Sequence, residues 1–502
     1  MEPKKPQDVP GTEVYAVHGA DPEVLAYAMA KYSRSALSLK ESLREISAQR
    51  AEQFLNTFYF QYGHRSIADL AHLAFAVERL SLLAAIVLVD EQRWDGQERS
   101  TRYQDFEKSG WYTPGFAAEG DRATYTGAVE ALLASYRQIS DGVFAQLRES
   151  TERPTEMKPE AFDRTLRARA FDVARYLLPL AANTSLGQIV NARTLETQVS
   201  RLLSHPLAEV RALGEALRAA ADDEAWMPAA PEGARAVRVA PTLVKYAVPN
   251  RYATETRALM AEAVASLMGD MPIAEAPLVD LIEDADALEV DLAAGLLYPA
   301  CAYPYRQLRD HVAALSEAAR DEIIDLGLRE RGPHDELLRE FTAGQRLRFD
   351  ILMDLGGFRD MHRHRRCVQL LQGFTDRHGW ETPEGLGALE PVFSGAMEAA
   401  SRAAALLARH SGVGERNPAW AVDPAEEAKQ YLLPLATRTR ALFRMDFAQA
   451  LYIAELRSAP QGHLSYRRVA WEMYQAVARR HPGLAKHFRV TDVHAPVDLL
   501  KR

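Results

Sequence analysis

The densest group of chemically capable side chains is Arg359, His362, Arg363, His364, Arg365 and Arg366, in the run FRDMHRHRR over residues 358–366. Concentrated guanidinium groups recognise phosphate or another anion in a bidentate way. A solvated basic face would look the same in sequence, so both readings stand at this point. His362 and His364 could bind a metal from extended backbone, but no carboxylate or thiolate set of metal-site spacing accompanies them, and no metal is expected. A second group lies in residues 90–106, DEQRWDGQERSTRYQDF, directly after an apolar run. There Glu98, Ser100 and Arg102 alternate. In extended backbone alternate side chains share a face, so these three could point into one site, or the stretch could be a solvated loop. A third group lies in residues 174–211. Arg175 precedes Pro179, and Asn191, Arg193 and Arg201 interrupt apolar residues. On a helix Arg193, Thr197 and Arg201 run down one side over about 12 Å. They suit a bound anion, or ion pairs with acids such as Glu196 or Glu209. No glycine-rich phosphate loop appears, so neither a dinucleotide-binding unit nor a P-loop is supported.

The elements that carry these groups are read from pattern. Residues 176–181 are YLLPLA, and residues 431–436 are YLLPLA again, with Thr184 and Thr439 matching three residues further on. An internal repeat of this kind points to two related halves. Residues 222–241, rich in Pro, Ala, Gly and charge without periodicity, are the linker between a half at 1–225 and a half at 240–502. In the first half, residues 22–60 are helical in pattern, Gly63–Ser66 is a turn into a helix with Ser66 as its cap, and residues 72–78 are a short strand. Residues 80–89 are a buried helix or strand. Residues 122–149, 159–175 and 185–203 are helices. In the second half, residues 253–268, 278–297, 308–328, 392–410 and 466–480 read as helices and 347–352 as a strand. Residues 1–12 read as a loose arm.

Composition bounds the rest. The chain has 502 residues, 47% hydrophobic and 26% charged, which is room for two ordinary domains. The formal net charge of −9 gives no global bias toward nucleic acid or acidic membranes, so an anionic ligand needs a local basic site. Two cysteines, Cys301 and Cys367, make neither a disulfide framework nor a zinc cage, and point to a reducing, cytoplasmic compartment. No signal core opens the chain, and the longest apolar run, residues 82–89, is too short to span a bilayer.

Taken together, the motifs resemble the flavin-dependent thymidylate synthases. Arg363-His364-Arg365 looks like the family's Arg-His-Arg signature. ARYLLPL, then Asn191-Ala192-Arg193, then Arg201 and His205 before Glu209, is similar to its second motif region. Gly63-His64-Arg65-Ser66 resembles the turn before its flavin site, and Glu98-Arg99-Ser100-Thr101-Arg102-Tyr103 resembles the end of its nucleotide loop. The resemblance covers most of residues 20–215 and is weaker over 300–480. It implies an α+β fold of two tandem halves, helix-rich with a small antiparallel sheet in each. It also implies FAD as cofactor, with NADPH and methylenetetrahydrofolate as co-substrates and dUMP as the nucleotide methylated. Carried over by position, FAD contacts fall at His64, Ser66, Asn191, Arg193, Arg363, His364 and Arg365. The dUMP contacts fall at Glu98, Ser100, Arg102, Arg175 and Arg201, with Arg201 as the catalytic cation beside the ionised uracil ring. Family members are homotetramers with sites shared between subunits, so a two-copy chain is expected as a homodimer.

The departures are specific. The first half has Asp90-Glu91-Gln92 where Arg-His-Arg is expected, and the interval from Asn191 to Arg201 is one residue short. In the second half the nucleotide loop reads Gln369-Leu370-Leu371-Gln372-Gly373-Phe374. Gln430 stands there for Arg175, Asp446 for Asn191 and Ala448 for Arg193. Each half keeps what the other lacks, which implies one composite site per pair of halves.

Overall fold

A computed structural model describes residues 17, 19–30, 39–45, 65–226, 237–244, 247–251, 254, 277–282, 288–297, 305–329, 337, 341, 347–407, 423–498 and 500. The arm at residues 1–12, His64, the expected helix at 253–268 apart from residue 254, and residues 227–236 of the expected linker lie outside them. In chain order the first half gives α1 (Pro22–Ala30), α2 (Leu39–Glu45), β1 (His72–Ser81), α3 (Leu82–Leu88), β2 (Asp95–Glu98), α4 (Glu119–Ser150), α5 (Pro159–Ala174), β3 (Asn183–Asn191), α6 (Ala192–Leu203) and α7 (Ala208–Asp222). The second gives β4 (Val279–Ile282), α8 (Leu288–Leu297), α9 (Tyr305–Ala313), α10 (Glu317–Leu328), β5 (Leu347–Asp354), α11 (Leu355–Met361), β6 (Val368–Leu371), α12 (Glu390–Leu407), α13 (Pro424–Leu432), β7 (Arg438–Met445), α14 (Phe447–Ser458) and α15 (Leu464–Arg480). The order strand–helix–strand, helix, helix, strand, helix, helix occurs in both halves. The fold is therefore α+β in two tandem, helix-rich halves, with strand orders β1-β3-β2 and β4-β5-β7-β6.

Three readings are corrected. Residues 185–203 are not one helix: Ser185 to Asn191 belong to β3, whose alternation of buried and open positions fits a strand, and α6 begins at Ala192. Asn191 sits at that junction as the helix cap, its Oδ1 accepting from Thr194 N at 2.8 Å. Residues 278–297 divide into β4 and α8. Ser66 is not a cap but the second residue of a short 3-10 helix, Arg65–Leu70.

The chain forms two compact units. Unit 1 takes residues 1–75, 188–204 and 211–250, and unit 2 takes residues 76–187, 205–210 and 251–502. Within unit 1, the buried Glu23 carboxylate accepts from the backbone N–H groups of Thr242 and Leu243, both at 2.9 Å. Unit 2 contains both YLLPLA segments, and they lie against each other. Leu180 N donates to Leu433 O and Ala181 N to Tyr431 O, both at 2.9 Å; Leu435 N donates to Leu178 O and Ala436 N to Tyr176 O, also at 2.9 Å. Pro179 faces Pro434 at the centre. Proline has no N–H, so the flanking residues must make the bonds, and they do so reciprocally. Each segment also docks its own half. Leu82 N donates to Ala182 O and Leu83 N to Leu180 O; Leu355 N donates to Thr437 O and Gly356 N to Leu435 O. Within unit 2 the two YLLPLA segments are thus paired antiparallel, with the same bonds made in both directions.

The corresponding helix starts of the two halves differ in a complementary way. Ser81 caps α3, accepting from Ala84 N at 2.9 Å, and Asp354 caps α11, accepting from Gly357 N at 2.7 Å. Glu209 accepts from Ser81 N at 2.8 Å and from Ser81 Oγ at 2.6 Å. In the other half the acid is on the cap: Ser465 Oγ donates to Asp354 Oδ2. Tyr431 OH completes the first pair by donating to Glu209 at 2.7 Å. Each half holds one serine and one carboxylate, with the positions exchanged.

This exchange yields a prediction. Glu209→Ser leaves buried donors unmatched and should cost about 1–3 kcal/mol, and Ser81→Asp sets two carboxylates together and should cost a similar amount. The double variant reproduces the other half's arrangement and should recover at least half of the summed loss. Urea unfolding of the four proteins measures this, and purely additive losses would show that the pair does not act as a unit.

Candidate functional site

The strand–helix–strand segments of the two halves meet within unit 2 around a cavity of 220 Å³. The first half lines it with Val89, Trp94, Asp95, Gly96 and Glu98, and the second with Arg359, His362, Arg363 and Arg365. Arg359 Nη2 donates to Glu98 Oε1, so the two halves are joined across the cavity wall by an ion pair with both side chains largely buried. Arg359 Nε is shut off from solvent without a partner. Arg365 lies over the Trp94 ring, 4.6 Å from its centroid. Burial pushes the Arg365 guanidinium down to about 10, against the pull of Asp90. His362 shares a hydrogen bond with Gln369 Oε1 through Nδ1 at 2.7 Å.

His364, between the two arginines in sequence, does not line the cavity. It is buried, its Nε2 accepts from Arg457 Nε at 2.7 Å, and its ring meets Tyr452 edge-on. Burial, helped by Arg457 and the flanking arginines, pushes its pKa down to about 3. The ring is therefore neutral and already engaged.

The expected nucleotide residues are placed differently from a shared extended face. β2 ends at Glu98, and the chain then turns, with Ser100 Oγ accepting from Arg102 N at 3.2 Å. Glu98 goes to Arg359, whereas Arg102 turns inward. Its Nε and Nη2 reach the Asp172 carboxylate at 2.8 and 3.3 Å, its Nη1 reaches Tyr466 OH at 2.9 Å, and Nη2 also reaches Gln461 O at 3.1 Å. Burial works against this charge, but Asp172, Tyr466 and Asp360 together outweigh it and raise the guanidinium pKa.

Arg175 is 2% exposed. Its Nη1 reaches Asp360 Oδ2 at 3.3 Å, and its Nε and Nη2 are buried with no partner. Burial alone would raise the Asp360 pKa; the positive charges of Arg175, Arg363, Arg102 and Arg457 together hold it below the ordinary carboxylate range. One carboxylate thus gathers Arg102 and Arg175, expected at the nucleotide, and Arg363, expected at the flavin.

Unit 1 carries the remaining expected residues. Asn191 caps α6 and its Nδ2 donates to Asp69 at 3.4 Å, while Arg193 pairs with Asp69 at 3.1 Å. Arg201 is half-buried in the last turn of the same helix. Position 446 keeps the cap despite its change to Asp: Asp446 Oδ1 accepts from Gln449 N at 2.8 Å, just as Asn191 accepts from Thr194.

Residues that sequence reasoning missed are Asp360, Arg359's link to Glu98, Asp172, Arg457 and His463. Asp360 was visible as the one acid inside FRDMHRHRR. Asp172 stands three residues before Arg175, and nothing local marks Arg457. His463 is buried, and burial pushes its pKa down to about 3, with Arg175 adding to the effect. Its Nε2 faces Asp172 O at 2.9 Å and its Nδ1 accepts from Ser465 N at 3.2 Å, which assigns the proton to Nε2. Among the described residues no group of three or more His, Cys, Asp or Glu is arranged to hold a metal, and no helix is long and apolar enough to cross a membrane.

A UPF0159 protein of Chlamydia pneumoniae is 28% identical over 97% of this chain and 93% of its own length. A UPF0159 protein of Thermoplasma acidophilum is 24% identical over 92% of this chain and 94% of its own. A flavin-dependent thymidylate synthase of Geobacter sulfurreducens is 27% identical over 36% of this chain and 67% of its own. The crystal structure of a Helicobacter pylori flavin-dependent thymidylate synthase complexed with FAD and dUMP aligns with 17% identity and a TM-score of 0.27, over 40% of this chain and 88% of that one. The family model for thymidylate synthase complementing protein matches residues 16–229 and 345–483, one segment in each half. The chain belongs to the thymidylate synthase complementing protein family.

Proposed function

We propose that this chain is a flavin-dependent thymidylate synthase of the two-copy type, methylating dUMP with methylenetetrahydrofolate and NADPH at one composite site per chain. The observation that carries this reading is the meeting of Glu98, from the half that keeps the nucleotide loop, with Arg359, Arg363 and Arg365, from the half that keeps the cations. Neither half supplies both sets. The donor chemistry fits FAD: Arg363 and Arg365 stand on one cavity wall, and a pyrophosphate needs such paired cations in a chain of net charge −9. FAD, when bound, would supply the hydride that the reductive step requires. The chain's own residues bind and orient. Arg363 and Arg365 hold the diphosphate, Glu98 fixes Arg359, and Arg175 is assigned to the nucleotide by family position. Arg201 is assigned the cation beside the ionised ring, and His64, Ser66, Asn191 and Arg193 the remaining flavin contacts, by family position. His364 is assigned a positioning role, since it receives the Arg457 hydrogen bond. The chain is read as a cytoplasmic homodimer, because its two halves already make within one chain the kind of pairing that subunits would make.

A second reading is favoured by a different observation. Arg102 is saturated by Asp172 and Tyr466, and Arg175 is paired with Asp360. A protein whose nucleotide arginines are held by its own carboxylates could bind flavin and act on another nucleotide, or on none. Tritium release from ring-labelled dUMP separates the two: release supports the synthase, and none from a fully flavin-loaded protein supports the second reading.

Three outcomes are expected. The purified protein should show flavin absorbance near the visible blue, and Arg363→Ala with Arg365→Ala should lose it while the far-ultraviolet circular dichroism stays unchanged; unchanged flavin occupancy would remove the cluster from the site. Isothermal titration should find one dUMP per chain, and Arg175→Ala should weaken binding about tenfold to a hundredfold, the worth of one hydrogen bond to a charged group. A stoichiometry of two would show that the halves do not divide the work. Asp360→Asn, which releases Arg175 from its ion pair, should tighten dUMP binding by about tenfold. Equal or weaker affinity would show that Asp360 supports the arginines without competing for them.

A further inference from the structure

Residues 110–116 read GWYTPGF and residues 379–385 read GWETPEG. They are equivalent in space as well as in sequence. Tyr112 N donates to Ala181 O at 3.0 Å and Glu381 N to Ala436 O at 2.9 Å; Asn183 N donates to Gly110 O at 3.0 Å and Arg438 N to Gly379 O at 2.9 Å. Gly110 and Gly379 both take the left-handed backbone that glycine permits, with φ of 73° and 63°. In the first copy the space beside this loop is filled by aromatics. Tyr112 packs on Tyr431 with centroids 4.7 Å apart, and Phe116 packs on Tyr125 at 5.4 Å. In the second copy Glu381 and Gly385 stand in those two places, and Ser465 stands where the first has Glu209. There the structure has a cavity of 470 Å³, within the range of small-molecule pockets, about 300–1,000 Å³. A Cβ built at Gly385 would reach 3.8 Å from Val173, which lines the cavity, so a larger side chain here would enter it.

A void left by large-to-small changes normally collapses or costs stability. This one has kept a defined chemistry. Its apolar wall includes Val143, Leu147, Val173 and Leu464. Its carboxylates are all engaged: Asp172 by Arg102, and Glu381 and Glu384 by Arg468. Arg467 is different. It is 3% exposed, its Nε donates to Ser458 O at 3.0 Å, its Nη2 is buried without a partner, and no carboxylate among the described residues pairs with it. A buried guanidinium without a counter-charge is costly, and burial lowers its pKa accordingly.

We propose that this cavity binds a small amphipathic monocarboxylate, with its apolar body against Val143, Leu147, Val173 and Leu464 and its carboxylate on Arg467. The carboxylate supplies the counter-charge that the chain does not, and the body occupies the volume that aromatic side chains fill in the first copy. The site shares Asp172 with the Arg102 network but none of the residues lining the cavity at Glu98 and Arg363.

The test uses the full chain, with octanoate as the probe and octanamide as its uncharged counterpart, followed by isothermal titration. Octanoate should bind at least about tenfold more tightly than octanamide, the worth of a charge-assisted contact. Arg467→Met should abolish that preference and Arg467→Lys should retain part of it. Ala495→Trp, at an exposed position on the cavity lining, should weaken both probes without disturbing the core. Saturating dUMP should leave octanoate binding intact whether or not the synthase reading holds. No octanoate binding at millimolar concentration would overturn the proposal. So would an unchanged preference in Arg467→Met, indifference to Ala495→Trp, or displacement by dUMP. If Arg467→Met does not fold, Arg467→Lys and Ala495→Trp still decide it.

Discussion

The structure of unit 2 depends on one constraint: two proline-containing segments that cannot continue a helix must satisfy their backbone groups, and each does so largely on the other. Pro179 ends the helical run after Arg175, and Pro434 ends the one after Gln430. The four reciprocal N–H···O bonds between residues 176–181 and 431–436 then use the N–H groups of the two residues after each proline and the carbonyls of residues before it. The same segments fix the starts of α3 and α11, and lead into β3 and β7. A buried backbone group left unmatched costs about as much as a lost hydrogen bond, and eight such groups sit in this pairing. That explains why YLLPLA is the stretch repeated without change while the side chains around it differ.

Carrying both copies on one chain releases the side chains from being identical. Across an interface between identical subunits, an acid introduced on one face meets itself or its own partner twice. Here Ser81 and Glu209 in one half, and Asp354 and Ser465 in the other, exchange the hydroxyl and the carboxylate and keep the bond between them. The aromatic-filled loop beside Tyr431 and the open one beside Tyr176 are the same freedom used on volume. The split of cations and nucleotide loop between the halves is that freedom used on a site: Glu98 needs Arg359 from the other half, and Arg102 needs Tyr466.

Much of this was legible in the sequence. The repeat was, because an identical six-residue string needs no structural knowledge to find. The Arg363–Arg365 cluster stands out as a local concentration of cations in an acidic chain, whereas Arg175 is singled out only by the family resemblance. The strand at residues 183–191 was missed because its polar and apolar alternation runs into the 3.6-residue period of α6 without a Gly or Pro between them; only the cap Asn191 marks the change. The inward turn of Arg102 was missed for a different reason. Glu98, Ser100 and Arg102 do alternate, but the extended backbone stops at Glu98, and Arg102 follows the pull of Asp172, seventy residues away. Charge partners at such separations leave no trace in a local pattern.

Asp360 ties these strands together. A set of guanidiniums brought close enough to share an anion repels itself when none is present, and in a buried site that repulsion is weakly screened. Asp360 supplies the missing negative charge, and its low pKa keeps it ionised through the neutral range. The sign is that of a depressed carboxylate: the stabilisation is present above the ordinary Asp pKa and fades as pH falls through the lowered one. The arginines are thereby kept from repelling one another in the empty site, and an incoming anion must compete with Asp360 for them. One carboxylate cannot satisfy them all, however. Arg175 Nε and Nη2 remain unmatched, so the cluster is stable enough to fold and still short of acceptors.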